Sequence, residues 1–162
     1  MNTSRKSGFA PIFDAHSKVL ILGSFPSVKS RKIDFYYGNK QNRFWKMTCG
    51  YFNEEIPETV EGKKAFLLKY GIALWDMVAS CEIEGSADSS IKEEELVDLN
   101  EVLCHAKIKK ILLNGALSYQ LFVRKYKELC VSYQRLPSTS PANVRFDERE
   151  WKEALNDVFG LY

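Results

Sequence analysis

Four short runs of apolar residues, each bounded by turn-forming or polar residues, divide the chain. The clearest run is Val19–Leu22, which is too short for a helix and is followed directly by Gly23. Continuous apolar runs of this length are typical of strands that are buried on both faces of a parallel sheet. We therefore predict strands over Val19–Leu22, Ile72–Met77, Ile108–Leu113 and Cys130–Leu136.

Between these strands, apolar residues recur at spacings of three and four, which is the helical period. Leu96, Leu99 and Leu103 show this spacing most clearly. Helices are predicted over Asn42–Phe52, Pro57–Tyr70, Glu93–Ala106, Ala116–Leu129 and Glu148–Leu161. Strands that alternate with helices predict an α/β fold. We expect a three-layer α/β/α sandwich with a central four-stranded, mostly parallel sheet, in a single domain over residues 1–162.

The composition of the chain is that of a globular protein, with 45% hydrophobic and 27% charged residues among 162. No apolar run is long enough to cross a membrane, and residues 1–9 lack the apolar core of a signal peptide. We therefore expect a cytoplasmic protein, and a monomer. The cysteines include no CxxC pair, which favours buried free thiols over a metal site. They are Cys49, Cys81, Cys104 and Cys130.

Basic residues are concentrated between Val28 and Lys46, where six of them accompany a single acid, Asp34. Aromatic residues are interleaved with them, in Phe35-Tyr36-Tyr37 and in Phe44-Trp45. Cations mixed with aromatic rings suit a phosphate backbone and a stacked base. A solvated basic loop that carries core aromatics explains the same pattern, so both interpretations stay open at this point.

Polar residues follow the predicted strands, whereas several common catalytic motifs are absent from the sequence. There is no GxxxxGK[ST] motif, no GxGxxG after a strand and no GxSxG. No predicted helix carries two histidine or cysteine ligands one turn apart, so we expect no metal site. The polar strand ends are Gly23-Ser24, Asp76 and Asn114, and the loop Pro137–Asn143 follows the fourth strand. Because ligands of parallel sheets bind beyond the carboxyl ends of the strands, these residues predict a site at that edge.

In these stretches the chain resembles the uracil-DNA glycosylase superfamily, and most closely its hypoxanthine-DNA (deoxyinosine) glycosylase branch. The resemblance is carried, in the family's order, by VLILGSFPS, YYGNKQNRFW, GIALWD, GSADSSI, ILLNG and LPSTSPANV. It implies a base pocket at the strand ends and DNA containing a deaminated base as the partner, with no cofactor. The widely spaced cysteines do not match the branches of the superfamily that bind an iron–sulfur cluster.

Two departures from the mismatch-type uracil glycosylases of this superfamily bear on the chemistry. Phe25 stands where their GINPG motif has the asparagine that orients the attacking water, and Asn39-Lys40 replaces a His-Pro pair. An amide can orient a water because it both donates and accepts hydrogen bonds, so Asn39 is the first candidate for the catalytic residue. Asn42 is the second candidate, because an asparagine directly before a helix is more often a cap.

The remaining candidates divide between the flipped base and the DNA backbone. The resemblance of NRFW to the mismatch enzymes implies that Phe44 stacks on the base, although a core phenylalanine at a helix start fits the same position. Asp76 either reads the base edge or caps a turn. Base contacts are expected from Ser24, Phe25, Phe44, Asp76 and Asn114. DNA contacts are expected from Lys29, Arg31, Lys32, Arg43, Ser138, Thr139, Ser140 and Asn143.

Together these assignments predict a monofunctional DNA glycosylase that flips out deaminated bases and hydrolyses their glycosidic bond in base excision repair. Hypoxanthine is expected to be favoured over uracil, because Phe25 removes the amide that assists uracil loss. A uracil- or mismatch-specific glycosylase, and a non-catalytic nucleic-acid-binding domain on the same scaffold, are the alternatives. Asn39 beside a stacking Phe44 favours the enzyme, since binding alone would not need both.

Overall fold

The strand Val19–Gly23 lies at the centre of the fold in the computed structural model, which describes residues 5–162. Its odd-numbered side chains Val19 and Ile21 pack into one hydrophobic core, whereas Leu20 and Leu22 pack into a second core. Successive side chains of a strand point to opposite faces, so this apolar run is buried on both faces, as predicted. The strands are β1 (Arg5–Ser7), β2 (Val19–Gly23), β3 (Ile72–Asp76), β4 (Val78–Glu82), β5 (Lys92–Leu96), β6 (Lys110–Asn114) and β7 (Ser132–Leu136).

Four of these strands form the main sheet in the order β3-β2-β6-β7, and all neighbouring strands in it are parallel. The predicted four-stranded parallel sheet is therefore confirmed. From β2 the chain first returns to β3 on one side and later to β6 on the other, so the direction of the crossovers reverses at β2. Such a reversal opens a crevice at the carboxyl ends of the strands, where Gly23, Asp76 and Asn114 lie.

Helices cover both faces of the main sheet and complete the predicted α/β/α sandwich. They are α1 (Val28–Ile33), α2 (Phe44–Tyr51), α3 (Val60–Tyr70), α4 (Asn100–Leu103), α5 (Ala116–Tyr126) and α6 (Glu148–Phe159). Helices α2, α3 and α6 pack on one face through Met47, Leu67 and Trp151. Helices α4 and α5 pack on the opposite face through Val102 and Phe122. Among residues 5–162, no helix has the length and apolar character that spanning a bilayer requires.

The prediction of one long helix over Glu93–Ala106 is wrong. Its first part is β5, which pairs antiparallel with β4, and only the four residues of α4 are helical. Glu93 has a positive φ of 52°, a backbone conformation that a right-handed helix does not accommodate. Leu99 is nevertheless buried in the second core, so the apolar spacing reflects burial without a continuous helix. Strands β1, β4 and β5 form a small antiparallel sheet that the sequence analysis did not predict.

Two smaller predictions also differ from the structure. The basic segment after β2 contains the short helix α1, which Ser27 begins by accepting a hydrogen bond from the backbone N–H of Ser30. All four cysteines are free, but Cys104 and Cys130 are exposed, so the prediction of buried thiols is wrong for these two.

Candidate active site

Three polar strand ends meet at the carboxyl edge of the main sheet. Gly23 of β2 is paired with Asp76 of β3, and Asn114 ends β6 on the other side of β2. A Cβ atom on Gly23 would lie only 2.5 Å from Oδ1 of Asp76, so glycine is needed to make room for this carboxyl group. We call Gly23, Asp76 and Asn114 the strand-end cluster.

Asn114 is the most tightly held member of the cluster. Its Oδ1 accepts a hydrogen bond from the backbone N–H of Thr139 at 2.9 Å. Its Nδ2 donates to Oγ1 of Thr139 at 3.0 Å and to the hydroxyl of Tyr37 at 3.2 Å. These contacts fix which way the amide points, because the oxygen is committed to the backbone of the following loop. Asn114 therefore presents a hydrogen-bond donor to whatever occupies the place of the Tyr37 hydroxyl.

The rings of Tyr37 and Phe44 close over the cluster. Their centroids are 4.2 Å apart and the rings are tilted by 27°, which is a stacked arrangement. The Tyr37 hydroxyl also lies 3.3 Å from the position that a Cβ atom of Gly23 would take, next to Asp76. Phe44 itself is 0% exposed and packs edge-on against Trp45, so it is a core residue whose ring Tyr37 covers. Sequence reasoning missed Tyr37, because one tyrosine among several aromatic residues carries no chemical signature.

Asp76 has the most unusual electrostatic environment of the site. Asp76 is only 5% exposed, and its Oδ2 has no hydrogen-bond partner within the described residues. Burial, and to a lesser extent the negative charge of Asp88, raise the pKa of Asp76 to about 7. The carboxyl group therefore changes near neutral pH between a form that can donate a hydrogen bond and one that only accepts. Such perturbed groups in a strand-end crevice are typical of functional sites.

A cleft of about 500 Å³ adjoins Tyr37, and both candidate catalytic asparagines line it. Oδ1 of Asn39 accepts a hydrogen bond from the backbone N–H of Gln41 at 3.0 Å. Oδ1 of Asn42 accepts from the backbone N–H of Phe44 at 2.9 Å, at the first residue of α2. Asn42 thus holds the backbone at the start of α2 from two residues before it, whereas the N-cap position itself is Arg43. The side-chain nitrogen of Asn39 makes no hydrogen bond within residues 5–162, so this amide can still hold a water.

Helix α1 anchors the backbone that carries Asn39. The N–H of Gly38 donates to Oγ of the buried Ser30 at 2.8 Å. A Cβ atom on Gly38 would approach the side chain of Ile33 to 2.7 Å, so the close approach of this loop to α1 requires glycine. The basic helix therefore also has a positioning role that its charge pattern did not indicate.

The loop that follows β7 is held by contacts inside the protein. Nη1 of Arg43 donates to the carbonyl oxygens of Ser140, at 3.1 Å, and Asn143, at 2.9 Å. Nδ2 of Asn143 donates to the carbonyl oxygen of Ser138 at 2.9 Å. Thr139 is 0% exposed. The structure thus gives Thr139 and Arg43 structural roles, and the DNA contacts predicted for them stay predictions.

Ser24 and Phe25, which were predicted to contact the base, are engaged with other groups. Oγ of Ser24 donates to Oδ1 of Asp88 at 2.8 Å. The guanidinium of Arg31 lies 5.6 Å from the centroid of the Phe25 ring and donates to the carbonyl oxygen of Gly85 at 2.6 Å. Phe25 therefore packs against Arg31 of α1 and the second hydrophobic core, close to Gly8.

Exposed residues beside the site provide a surface for a larger ligand. Lys29 and Lys32 are exposed on α1, and Lys40 and Lys46 line the cleft beside the candidate asparagines. Val144 is 89% exposed in the segment that follows the loop after β7. A single exposed apolar side chain is common on protein surfaces, so Val144 is of interest only because it directly follows the loop that Arg43 braces. Sequence reasoning missed Val144, although an isolated valine at the end of a polar loop was a signal for it.

A parallel sheet with a polar strand-end crevice defines an α/β class of ligand-binding proteins, and comparison with known proteins narrows this class. The family model of the uracil DNA glycosylase superfamily matches residues 10–159. The chain belongs to the uracil DNA glycosylase superfamily.

Individual relatives cover almost the whole chain. The hypoxanthine DNA glycosylase of Methanosarcina acetivorans is 37% identical over 158 residues, which are 91% of this chain and 96% of that protein. The hypoxanthine DNA glycosylase of Methanosarcina barkeri is 32% identical over 160 residues, 93% of this chain and 98% of that protein. The solution NMR structure of a candidate uracil DNA glycosylase from M. acetivorans matches with a TM-score of 0.84 and 32% identity. That match covers 96% of this chain and 99% of the NMR structure.

The raised pKa of Asp76 predicts how stability depends on pH. Its native pKa of about 7 exceeds the ordinary value of 3.8, so the native state holds this proton more tightly than the unfolded state. The contribution of Asp76 is therefore most favourable below about pH 4 and is lost as pH rises through 7. Asp76→Asn should stabilise the protein relative to wild type by an amount that grows with pH to at most about 4 kcal/mol. Urea unfolding between pH 4 and pH 8 measures this difference.

Asp34→Asn is the matched control, because Asp34 is exposed and its left-handed backbone conformation suits asparagine. Its stability should differ little from wild type across the same range. Parallel pH curves for Asp76→Asn and wild type would show that the Asp76 carboxyl is ionised in the native state throughout.

Proposed function

We propose that this protein is a monofunctional DNA glycosylase that excises hypoxanthine from DNA in base excision repair. Membership of the superfamily and the two relatives named hypoxanthine DNA glycosylase support this reaction class. The observation that carries the choice of a carbonyl-bearing base over adenine is the fixed donor of Asn114 at the end of β6, and the names of the two relatives favour hypoxanthine among such bases. We further propose that the chain acts as a cytoplasmic monomer, for which four free cysteines suit a reducing compartment.

The orientation of Asn114 favours a base that carries a carbonyl oxygen. Thr139 holds the amide oxygen, so Nδ2 is the group that can meet a base in the crevice. Hypoxanthine presents O6, an acceptor, whereas adenine presents an amino group at the same position, and two donors cannot pair. Deamination of adenine is therefore the change that this donor distinguishes. Leaving a buried donor unpaired costs about 1–3 kcal/mol, enough to disfavour the undamaged base.

Phe44 and Asp76 complete the proposed base subsite. Phe44 lies at the floor of the site, where a purine can stack on its ring if it takes the place of Tyr37. Asp76 lies at the neighbouring strand end with an unpaired oxygen, so it can accept a hydrogen bond from a ring N–H or, when protonated, donate one. The carbonyl and the adjacent N–H of hypoxanthine match a donor and an acceptor placed side by side. Burial of both groups strengthens these contacts relative to water.

Asn39 is proposed to orient the water that attacks the sugar. It lines the cleft beside Tyr37, and its side-chain nitrogen is available while its oxygen keeps one lone pair free. In the reaction, the water oxygen bonds to C1′, the bond between C1′ and the base nitrogen breaks, and its electron pair leaves with the base. The water gives up one proton to the solvent, and the departing base takes up one proton at the nitrogen that was bonded to C1′. Positioning and electrostatic stabilisation of the departing base therefore supply the catalysis, without a strong general base.

The exposed lysines and Val144 are proposed to hold the distorted DNA. Lys29, Lys32 and the cleft lysines provide cations for phosphates, which is the sequence-independent part of DNA affinity. Val144 is proposed to enter the gap that the flipped nucleotide leaves in the base stack. The hydrogen-bonded loop before Val144 is braced by Arg43, so this apolar side chain is presented from a rigid support.

Excision of hypoxanthine should exceed excision of uracil, xanthine and the undamaged bases. End-labelled duplexes that carry inosine, uracil, xanthine or adenosine at one position are incubated with the protein and then cleaved with alkali. Uracil release equal to or faster than hypoxanthine release would identify a uracil glycosylase, since uracil also presents a carbonyl to Asn114. Binding of inosine duplexes without any excision would identify a non-catalytic domain.

Asn39→Ala should lower the single-turnover rate of excision by about 10²-fold or more, which is typical when one well-placed polar group is lost from a transition state. Affinity for the inosine duplex should change little, because the amide acts on water. Asn39→Asp should keep partial activity, since a carboxylate can also orient the water. That activity should fall as the pH approaches about 4 and the carboxylate is protonated.

Asn42→Ala is the matched control for this experiment. Because Asn42 holds the start of α2, its loss should reduce stability by about 1 kcal/mol and leave the excision rate nearly unchanged. If Asn42→Ala loses the chemistry while Asn39→Ala excises at the wild-type rate, the water-orienting role passes to Asn42.

Val144→Ala should slow excision from duplex DNA by about five- to tenfold, because the smaller side chain no longer fills the gap in the base stack. This factor corresponds to about 1 kcal/mol. Excision from single-stranded DNA should be unaffected, because no base stack has to be filled. Stability should not change, since Val144 is 89% exposed. Leu161→Ala, at an exposed apolar residue after α6, is the control. Equal rates for Val144→Ala and wild type on the duplex would exclude the filling role.

A further inference from the structure

Tyr37 occupies the place that the proposed function assigns to the flipped base. Its ring stacks on Phe44 with a centroid distance of 4.2 Å. Its hydroxyl oxygen accepts a hydrogen bond from Nδ2 of Asn114 at 3.2 Å, as a base carbonyl would. The same hydroxyl lies beside Gly23 and the carboxyl group of Asp76. One side chain therefore makes both contacts that were derived for hypoxanthine.

A base cannot use these contacts while Tyr37 holds them. Phe44 is completely buried, so no part of its ring is open for stacking with Tyr37 in place. The other hydrogen of the Asn114 amide is taken by Oγ1 of Thr139, which is also buried. Asn114 thus has one donor to offer, and Tyr37 accepts from it.

The ring has a place to move to, and the backbone beside it is fixed. Tyr37 also lines the cleft of about 500 Å³, on the side that Asn39 and Asn42 share. The following residue, Gly38, is held to Ser30 by a hydrogen bond of 2.8 Å and packs tightly against Ile33. Movement of the Tyr37 side chain into the cleft therefore does not require Asn39 to leave its position.

We propose that Tyr37 is a substitute for the base: in the DNA-free protein its ring fills the base subsite, and the flipped base displaces it into the adjoining cleft. This inference rests on the proposed function and assigns a positioning residue to the same site. The phenol keeps the buried donor of Asn114 paired when no base is bound. Its return to the subsite competes with the excised base and so promotes release of the product.

If Tyr37 competes with the base, substitutions that weaken its hold on the subsite should increase the affinity for inosine DNA. Substitution of a residue that contacts the bound base would decrease that affinity. Tyr37→Phe keeps the ring and loses the hydrogen bond to Asn114, so the subsite becomes easier to enter. Affinity for inosine DNA should then increase by about three- to tenfold, the worth of one hydrogen bond. Tyr37→Ala also removes the stacking ring and should increase that affinity by about tenfold or more.

The measurement uses a duplex that carries 2′-fluoro-2′-deoxyinosine, whose glycosidic bond resists cleavage. The affinity for this duplex is divided by the affinity for the same duplex with adenosine at that position. The ratio removes the contribution of contacts with the DNA backbone. Tyr36→Phe is the matched control, because it deletes the neighbouring hydroxyl, which donates to the carbonyl oxygen of Ala10 away from the cluster. Its affinity ratio should equal that of wild type. A lower ratio in Tyr37→Phe or Tyr37→Ala would overturn the proposal.

A spectroscopic signal tests the displacement of Tyr37 directly. It is measured on protein that retains Tyr37, so a folding defect in the alanine variant does not affect it. Protein labelled with 3-fluorotyrosine gives a fluorine resonance for Tyr37, identified by its loss in Tyr37→Phe. This resonance should move towards the value of an exposed ring when the fluoro-inosine duplex binds, and should not move with the adenosine duplex. An unchanged resonance in the inosine complex would show that Tyr37 stays on Phe44.

The two proposals fail in different ways. If the wild-type protein neither excises hypoxanthine nor prefers the inosine duplex, the proposed function is wrong. If it excises hypoxanthine but the Tyr37 variants bind inosine DNA more weakly, the reaction stands and the displacement of Tyr37 is wrong.

Discussion

The hydrogen bonds of the Asn114 side chain are the constraint on which the rest of the site depends. One buried amide joins the end of β6, the loop that carries Thr139 and the segment that carries Tyr37. A buried amide without partners would be destabilising, so the three segments have to meet in this arrangement. The backbone of Thr139 in turn accepts from the N–H of Arg43, directly before α2 and Phe44. The donor proposed to meet the base, the ring proposed to stack on it and the loop that precedes Val144 are therefore positioned by one connected hydrogen-bond network.

The register of the main sheet adds the electrostatic part of the site. Pairing Gly23 with Asp76 places a carboxyl group beside a residue without a side chain, at the end of a fully buried strand. Burial of the carboxyl group, and to a lesser extent the charge of Asp88, then raise the pKa of Asp76 to about 7, and Oδ2 is left without a partner among the described residues. The sheet that gives the protein its core thus also determines where an unpaired polar atom is retained. Such an atom opposes stability and is explained by a ligand that pairs with it.

The sequence was sufficient to predict the parallel sheet, because a strand buried on both faces has a pattern that hardly any other element shares. It also placed Asp76 and Asn114 at one edge, since parallel strands end on the same side. The sequence-based prediction failed for Glu93–Ala106, where the apolar residues at helical spacing belong to β5, a turn and α4. Only the pairing of β5 with β4 in the folded protein distinguishes these elements from one long helix. The structural roles of Thr139 and Arg43 were not predicted, for a related reason. Polar residues next to a site look alike in sequence, whether they face a ligand or brace the loop behind it.

Tyr37 shows why a binding site in its unoccupied form is hard to infer from sequence. A pocket that contains a buried donor and an aromatic floor is unfavourable when empty, because the donor loses water and the ring loses contacts. A tyrosine satisfies both with one side chain, since its ring stacks and its oxygen accepts. Under the proposed displacement, the chemical likeness between a phenol and a base carbonyl on an aromatic ring would allow the same residues to be stable without DNA and selective with it. The positive φ of 53° at Tyr37, an uncommon conformation for a bulky residue, is consistent with a position set by the pocket and not by the local chain.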